Sequence, residues 1–204
     1  MSKKALILID IQNDFLPGGA LAVENGDEVI PILNRIQPEF DLVLATQDWH
    51  PEGHGSFASS HPGQKEYDVI DLYGQSQVLW PDHCVQEKHG ANFPEELDAR
   101  RIAAVFRKGM DPKVDSYSGF FDNHRKHRTG MAGYLRDLEV TDIYVGGLAS
   151  DYCVYYTAKD GYDLGFRVHY LDHASRHISA DTYEEALKDL QEMGVNIIRG
   201  EFQV

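Results

Sequence analysis

Short apolar runs recur along the chain: ALILI at 5–9, LVLA at 42–45, IAAVF at 102–106, IYVGGLA at 143–149, FRVHYL at 166–171 and VNII at 195–198. Runs of this length and β-rich make-up fit strands buried on both faces, as in a parallel sheet. Between most of them the period changes to that of a helix. Val29, Ile32, Leu33 and Ile36 fall at i, i+3, i+4 and i+7, and so do Tyr183, Ala186, Leu187 and Leu190. Ser179 or Asp181 is placed to cap the last helix, and Gly194 to end it. A helix over 151–160 is expected to follow the fourth run. The alternation predicts an α/β fold: a right-handed, doubly wound three-layer sandwich with a mostly parallel central sheet, in one domain over 1–204.

Two stretches break the rhythm. Residues 50–83 are rich in His, Gly, Pro and Ser without clear periodicity, and residues 109–130 carry the basic cluster His124-Arg125-Lys126-His127-Arg128. Long loops in a compact domain are usually functional or disordered. The basic cluster reads as a solvated loop.

Composition narrows the partners. With 19 Lys plus Arg against 33 Asp plus Glu, the formal net charge is −14. A field of that sign repels phosphate, which argues against nucleic acid and anionic membrane but not against a small neutral substrate. The first apolar run is too short for a signal-peptide core or a membrane span. Only Cys84 and Cys153 are present, so a disulfide framework is not expected and a reducing cytoplasm is the expected compartment. Self-association into a homo-oligomer stays open.

In a doubly wound sheet, ligands bind beyond the carboxyl ends of the strands. The first run ends in Asp10, the second in Asp48-Trp49-His50, the third in Arg107-Lys108-Gly109, and the fourth in Ser150-Asp151-Tyr152-Cys153. Carboxylates, an ammonium, an imidazole and a thiol would then share one edge. A lone cysteine is more often a small buried hydrophobe, and Cys84 is read that way. Cys153 differs, because a helix N-terminus and a nearby Lys108 would both favour its thiolate, with Asp10 available to shuttle protons. Asp48 and His50 lie two apart on an extended segment and project from one face, which suits a divalent metal such as zinc, manganese or iron. Spacing leaves the third ligand open among His54, His61 and His83.

The stretches ILIDIQNDF (7–15), TQDWHPEGHGSF (46–57), LWPDHCVQ (79–86), FRKG (106–109), DSYSGF (115–120) and GGLASDYCV (146–154) resemble, in order and over nearly the whole chain, the nicotinamidases of the isochorismatase-like cysteine hydrolases. The resemblance implies hydrolysis of nicotinamide to nicotinate and ammonia through a cysteine thioester, in NAD salvage. It implies a triad of Asp10, Lys108 and Cys153, and metal ligands at Asp48, His50 and His83, with zinc expected and iron or manganese as alternatives. His54 matches a histidine that lies near the metal in some relatives. Phe15 and Trp80 would sandwich the pyridine ring, and Tyr117 would line the pocket. A cis bond before Ala149 is expected, with the N–H groups of Ala149 and Cys153 as oxyanion donors. Ser150 stands where relatives usually carry Thr and keeps the hydroxyl.

Three rivals compete with this reading. In a metallohydrolase the metal would activate water and Cys153 would be incidental. A flavodoxin-like nucleotide-binding module is disfavoured, because the segment after the first run has neither GxGxxG nor GxxxxGK[ST]. A related amidase of the same family acting on another small carboxamide is the closest alternative.

Overall fold

Every apolar run singled out above contributes a strand in the computed structural model, which describes residues 2–200. The strands are β1 (Lys3–Ile9), β2 (Leu42–Asp48), β3 (Val69–Leu72), β4 (Gln75–Val78), β5 (Ile102–Lys108), β6 (Val140–Leu148), β7 (Arg167–Arg176) and β8 (Asn196–Ile198). The helices are α1 (Val29–Ile36), α2 (Met131–Asp137), α3 (Tyr155–Asp163) and α4 (Ala180–Met193). A six-stranded sheet runs β5-β2-β1-β6-β7-β8. Each of its neighbouring pairs is parallel.

Side chains of β1 alternate between two cores, as a strand's period of two requires. Leu6 and Leu8 pack with Val29, Ile30, Leu33 and Ile36 of α1. Ala5, Ile7 and Ile9 pack on the opposite face with residues of α2, α3 and α4. The sandwich therefore has the three layers expected. The buried stripe of α1 is rotated slightly from the sequence pattern, with Ile30 buried and Ile32 only half-buried.

Three local expectations change. First, β5 is not buried on both faces. It is an edge strand whose Ala103, Val105 and Arg107 are exposed while Ile102, Ala104 and Phe106 are half-buried. Second, the 50–83 stretch contains the β3–β4 hairpin, closed by Tyr73 and Gly74 with φ of 53° and 87°. Two successive positive φ values make the two-residue turn that matches strand twist, but Tyr-Gly lacks the Asn or Asp that usually announces it. Third, Ser179 occupies the N-cap of α4 without a side-chain cap bond, and Asp181 is exposed. The buried Asp151 carboxylate does that work from another element, accepting from the Ile178 and Ser179 N–H groups at 3.0 Å each and from the Thr182 hydroxyl at 2.6 Å. Gly194 ends α4 in the left-handed region, as expected.

The chain leaves β1 towards β2 and β5 on one side, then returns to β6, β7 and β8 on the other. The crevice at the carboxyl ends of β1 and β6 is the switch point where such sheets bind ligands. No helix among the described residues is long and apolar enough to cross a membrane.

Candidate active site

Four strand ends meet at this crevice. Lys108, the last residue of β5, points its ammonium into the protein, with Nζ 2.9 Å from Asp10 Oδ2 and 2.7 Å from Asp48 Oδ1. It also donates to the Ser116 carbonyl at 2.9 Å and lies 3.4 Å from Cys153 Sγ. All four of Asp10, Asp48, Lys108 and Cys153 are buried. Burial alone would lower the Lys108 pKa, but Asp10, Asp48 and Cys153 raise it well above the usual lysine range, so the ammonium is retained. Burial would raise Asp48, yet Lys108 and His50 hold it well below the ordinary carboxylate value. Asp10 goes the other way: burial raises it, Lys108 opposes, and Asp48 adds to the rise. An elevated carboxylate is the better proton acceptor.

The electrostatic pull on the Cys153 thiol runs against the expected thiolate. Burial pushes the Cys153 thiol well above its ordinary pKa, Lys108 pulls it down, and the charges of Asp10 and Asp48 raise it again. One ammonium does not offset desolvation plus two carboxylates. The expected helix is present, beginning as a π-helical turn, Ser150–Val154, that runs directly into α3, so Cys153 lies in its first turn. The expected cis bond is present between Leu148 and Ala149. Just before it, Gly147 has φ of 137°, and a Cβ there would stand 2.2 Å from the Ile9 carbonyl. Only glycine allows β6 to approach β1 this closely.

Asp48, His50 and His83 present ligand atoms that all lie within 4.8 Å of one another. Asp48 Oδ2 is 3.6 Å from His50 Nε2 and 3.8 Å from His83 Nε2. Both imidazoles are oriented from behind: His50 Nδ1 lies 2.9 Å from the Gly109 carbonyl and His83 Nδ1 lies 2.8 Å from the Pro81 carbonyl. A carbonyl only accepts, so Nδ1 carries the hydrogen and Nε2 keeps its lone pair in the neutral ring. His50 Nε2 is a buried nitrogen without a hydrogen-bond partner. Two aimed imidazoles and a carboxylate fit a divalent ion with open coordination positions. The buried ring of Phe57 packs against His50, His54 and His83 and fixes their spacing. His54 and His61 stay outside the set. His54 spends both ring nitrogens on Ser56 Oγ and the Asp111 carbonyl, and His61 Nε2 bonds the Gly55 carbonyl.

Gly109 supports this arrangement twice, through its carbonyl and through the absence of a side chain. Its φ is +68°, and a Cβ would fall 2.4 Å from His50 Cε1. Gly109→Ala is expected to displace the His50 ring and lower retained metal per chain by roughly tenfold or more, the usual scale for losing such support. Metal analysis after dialysis checks this; native retention would show that His50 needs no such room.

The pocket above the thiol is lined by Phe15, Leu21, Asp48, Trp80, His83, Asp115, Tyr117, Ala149, Tyr152, Cys153 and Ile178. Phe15, Trp80 and Tyr117 are thus brought together as expected. The Trp80 ring meets Tyr152 edge-on at 4.9 Å, and the Tyr117 hydroxyl accepts from Trp80 Nε1 at 3.3 Å and Gln77 Nε2 at 2.9 Å. Sequence reasoning missed several contributors. Tyr152 had a signal in its place beside Cys153, and Asp115 in DSYSGF. Gln12 had one too, inside ILIDIQNDF: its amide accepts from the Asp48 N–H at 2.8 Å and donates to the Asp48 carbonyl at 2.8 Å. Thr46 had one at the head of TQDWHPEGHGSF, whereas Leu21, Gln77 and Ile178 carried no local sign. The basic cluster is exposed over Arg125 to Arg128, as read, although Arg125 pairs with Asp160 and stacks over Phe121.

Sheet order, buried ammonium and switch-point thiol together describe an α/β protein with a candidate thiol-based hydrolase site. The Isochorismatase domain profile matches residues 4–202, and the chain belongs to that family. Several of its relatives within the family are nicotinamidases. The nicotinamidase of Escherichia coli (strain K12) is 46% identical over 190 residues, covering 91% of this chain and 89% of that protein. A solved Acinetobacter baumanii nicotinamidase/pyrazinamidase superimposes with a TM-score of 0.95 at 40% identity, over 98% of this chain and 97% of that one. The pyrazinamidase of Pyrococcus horikoshii, solved in complex with zinc, has a TM-score of 0.77 at 35% identity, over 97% and 99% of the two chains.

Proposed function

We propose that this chain hydrolyses nicotinamide to nicotinate and ammonia, with Cys153 as nucleophile, Asp10 as proton carrier and Lys108 as the fixed cation between them. The carrying observation is the Lys108 ammonium, in reach of Asp10, Asp48 and Cys153 Sγ at once. The nicotinamidase relatives support the substrate.

As Sγ bonds to the carboxamide carbon, the thiol proton passes to Asp10. Backbone N–H groups of Ala149 and Cys153 hold the oxyanion, a contribution of about 3 kcal/mol per donor. Collapse of the tetrahedral species breaks the C–N bond, and Asp10 returns its proton to the leaving ammonia. Water then attacks the thioester, giving its proton to Asp10, and the C–S bond breaks to free the carboxylate and restore the thiol. Lys108 stays protonated throughout and offsets the negative charge that moves between Asp10 and the sulfur. Asp48, His50 and His83 would hold a divalent ion, with zinc as our assignment; when bound, it supplies a Lewis-acid position for the pyridine nitrogen. Phe15 and Trp80 would enclose the ring and keep water from it. Both cysteines are free thiols, which supports a reducing cytoplasm as the working compartment.

Ammonia release from nicotinamide by the reduced, metal-replete protein tests the assignment. We expect release that falls on chelation and returns with zinc, manganese or iron. No release would overturn the substrate assignment.

A further inference from the structure

Thr46 and Gly119 meet behind Asp10. Thr46 is fully buried on β2, and its hydroxyl serves one residue twice: it donates to Asp10 Oδ1 at 2.6 Å and accepts the Asp10 N–H at 3.2 Å. Asp10 Oδ2 is left 2.9 Å from Lys108 Nζ. The Thr46 methyl is packed onto Gly119, where a Cβ would stand 2.7 Å from Cγ2 and 3.0 Å from Met131 Cε. The methionine end can move aside. A buried β-branched side chain tied at its hydroxyl cannot. Gly119 has no positive φ, so the position demands a bare Cα rather than a special backbone. Its loop is clamped as well, with the Gly119 N–H donating to Thr157 Oγ1 at 2.9 Å and its carbonyl accepting from Thr129 Oγ1 at 2.6 Å.

We infer that Gly119 and Thr46 form a positioning pair for Asp10. The bare Cα of Gly119 seats the threonine methyl, the seated methyl sets the threonine rotamer, and the hydroxyl locks Oδ1 so that Oδ2 faces Lys108. Neither residue touches the reacting atoms; both act through Asp10. This rests on the reading of Asp10 as proton carrier.

The test compares Thr46→Val, Thr46→Ser, Gly119→Ala and the double variant Thr46→Ser/Gly119→Ala, with kcat and KM for nicotinamide, bound metal and thermal midpoint for each. Thr46→Val keeps the shape and removes the donor; kcat should fall roughly 10- to 100-fold with KM within about threefold, the scale of a misplaced reacting group. Thr46→Ser keeps the hydroxyl and should stay within about threefold of native. Gly119→Ala should lower kcat as Thr46→Val does, by turning the threonine. Serine has no Cγ2, so the double variant should recover nearly to the level of Thr46→Ser, which general loosening of the loop would not produce.

Native kcat in Thr46→Val, a loss carried by KM, or a double variant no better than Gly119→Ala would each overturn the pair. Asp10→Asn separates the two levels. If it keeps native kcat, the proton-carrier reading fails. If it is inactive while Thr46→Val is native, only the positioning pair fails.

Discussion

Cys153→Ala is expected to lower kcat by about 10,000-fold or more, the scale on which removing a covalent nucleophile acts. Bound metal should be unchanged, because the Asp48, His50 and His83 set does not use Sγ. The fold should survive as well, since the change removes one buried sulfur atom while Lys108 keeps its bonds to Asp48 and the Ser116 carbonyl. The comparison decides between two chemistries that share this pocket. If the thiol forms a thioester, alanine leaves nothing to carry the acyl group. If a metal-activated water attacks directly, alanine leaves the attacking group in place. Single-turnover kinetics together with metal analysis make the measurement, and residual hydrolysis within about tenfold of native would sink the covalent route.

Lys108→Met is expected to abolish turnover and to destabilise the fold by about 3–5 kcal/mol, the usual result of removing one partner from a buried charge cluster. Methionine can fill the space of the lysine stem, so the loss falls on charge rather than on packing. Without the ammonium, Asp10 and Asp48 face one another in a site where both are buried. Asp10, already raised by burial and held back by Lys108, then rises further above the unfolded value. A carboxylate raised in this way destabilises the fold at pH above its folded pKa, and the penalty disappears as pH falls towards the unfolded value. In the native protein Asp48 is depressed instead, so its stabilisation is present above the unfolded pKa and is lost only as pH falls through the lower folded one. The stability gap between variant and native should therefore narrow from pH 8 to pH 5. Urea unfolding at several pH values reads it, and a gap constant over that range would show that Lys108 contributes by packing.

Much of this architecture was legible without coordinates. The strand runs and the helical periods at 29–36 and 183–190 are local patterns, and β1, β2, β5 and β6 form where they place them. The reading of strand ends also held: Asp10, Asp48, Lys108 and Cys153 meet because parallel strands deliver their carboxyl ends to one edge. The hairpin at 69–78 was not legible, because its Tyr-Gly turn resembles no common signal and its segments are short. The cap of α4 was misread because Asp151 lies 28 residues before Ser179 and is brought to it only by β7.

By itself, then, the sequence determined the order of elements, the edge where chemistry converges and the identity of the converging groups. These follow from local periodicity and one general rule of parallel sheets. Tertiary structure alone decided what depends on packing between distant segments. It brought His83, rather than His54 or His61, beside Asp48 and His50, with its Nε2 3.8 Å from Asp48 Oδ2. It pushed the Cys153 thiol up rather than down, because burial and two carboxylates oppose one ammonium. It left one face of β5, with Ala103, Val105 and Arg107, open to solvent at the sheet edge. And it set Thr46 behind Asp10 against a glycine 73 residues away, a contact made by closing the fold and written in no local pattern.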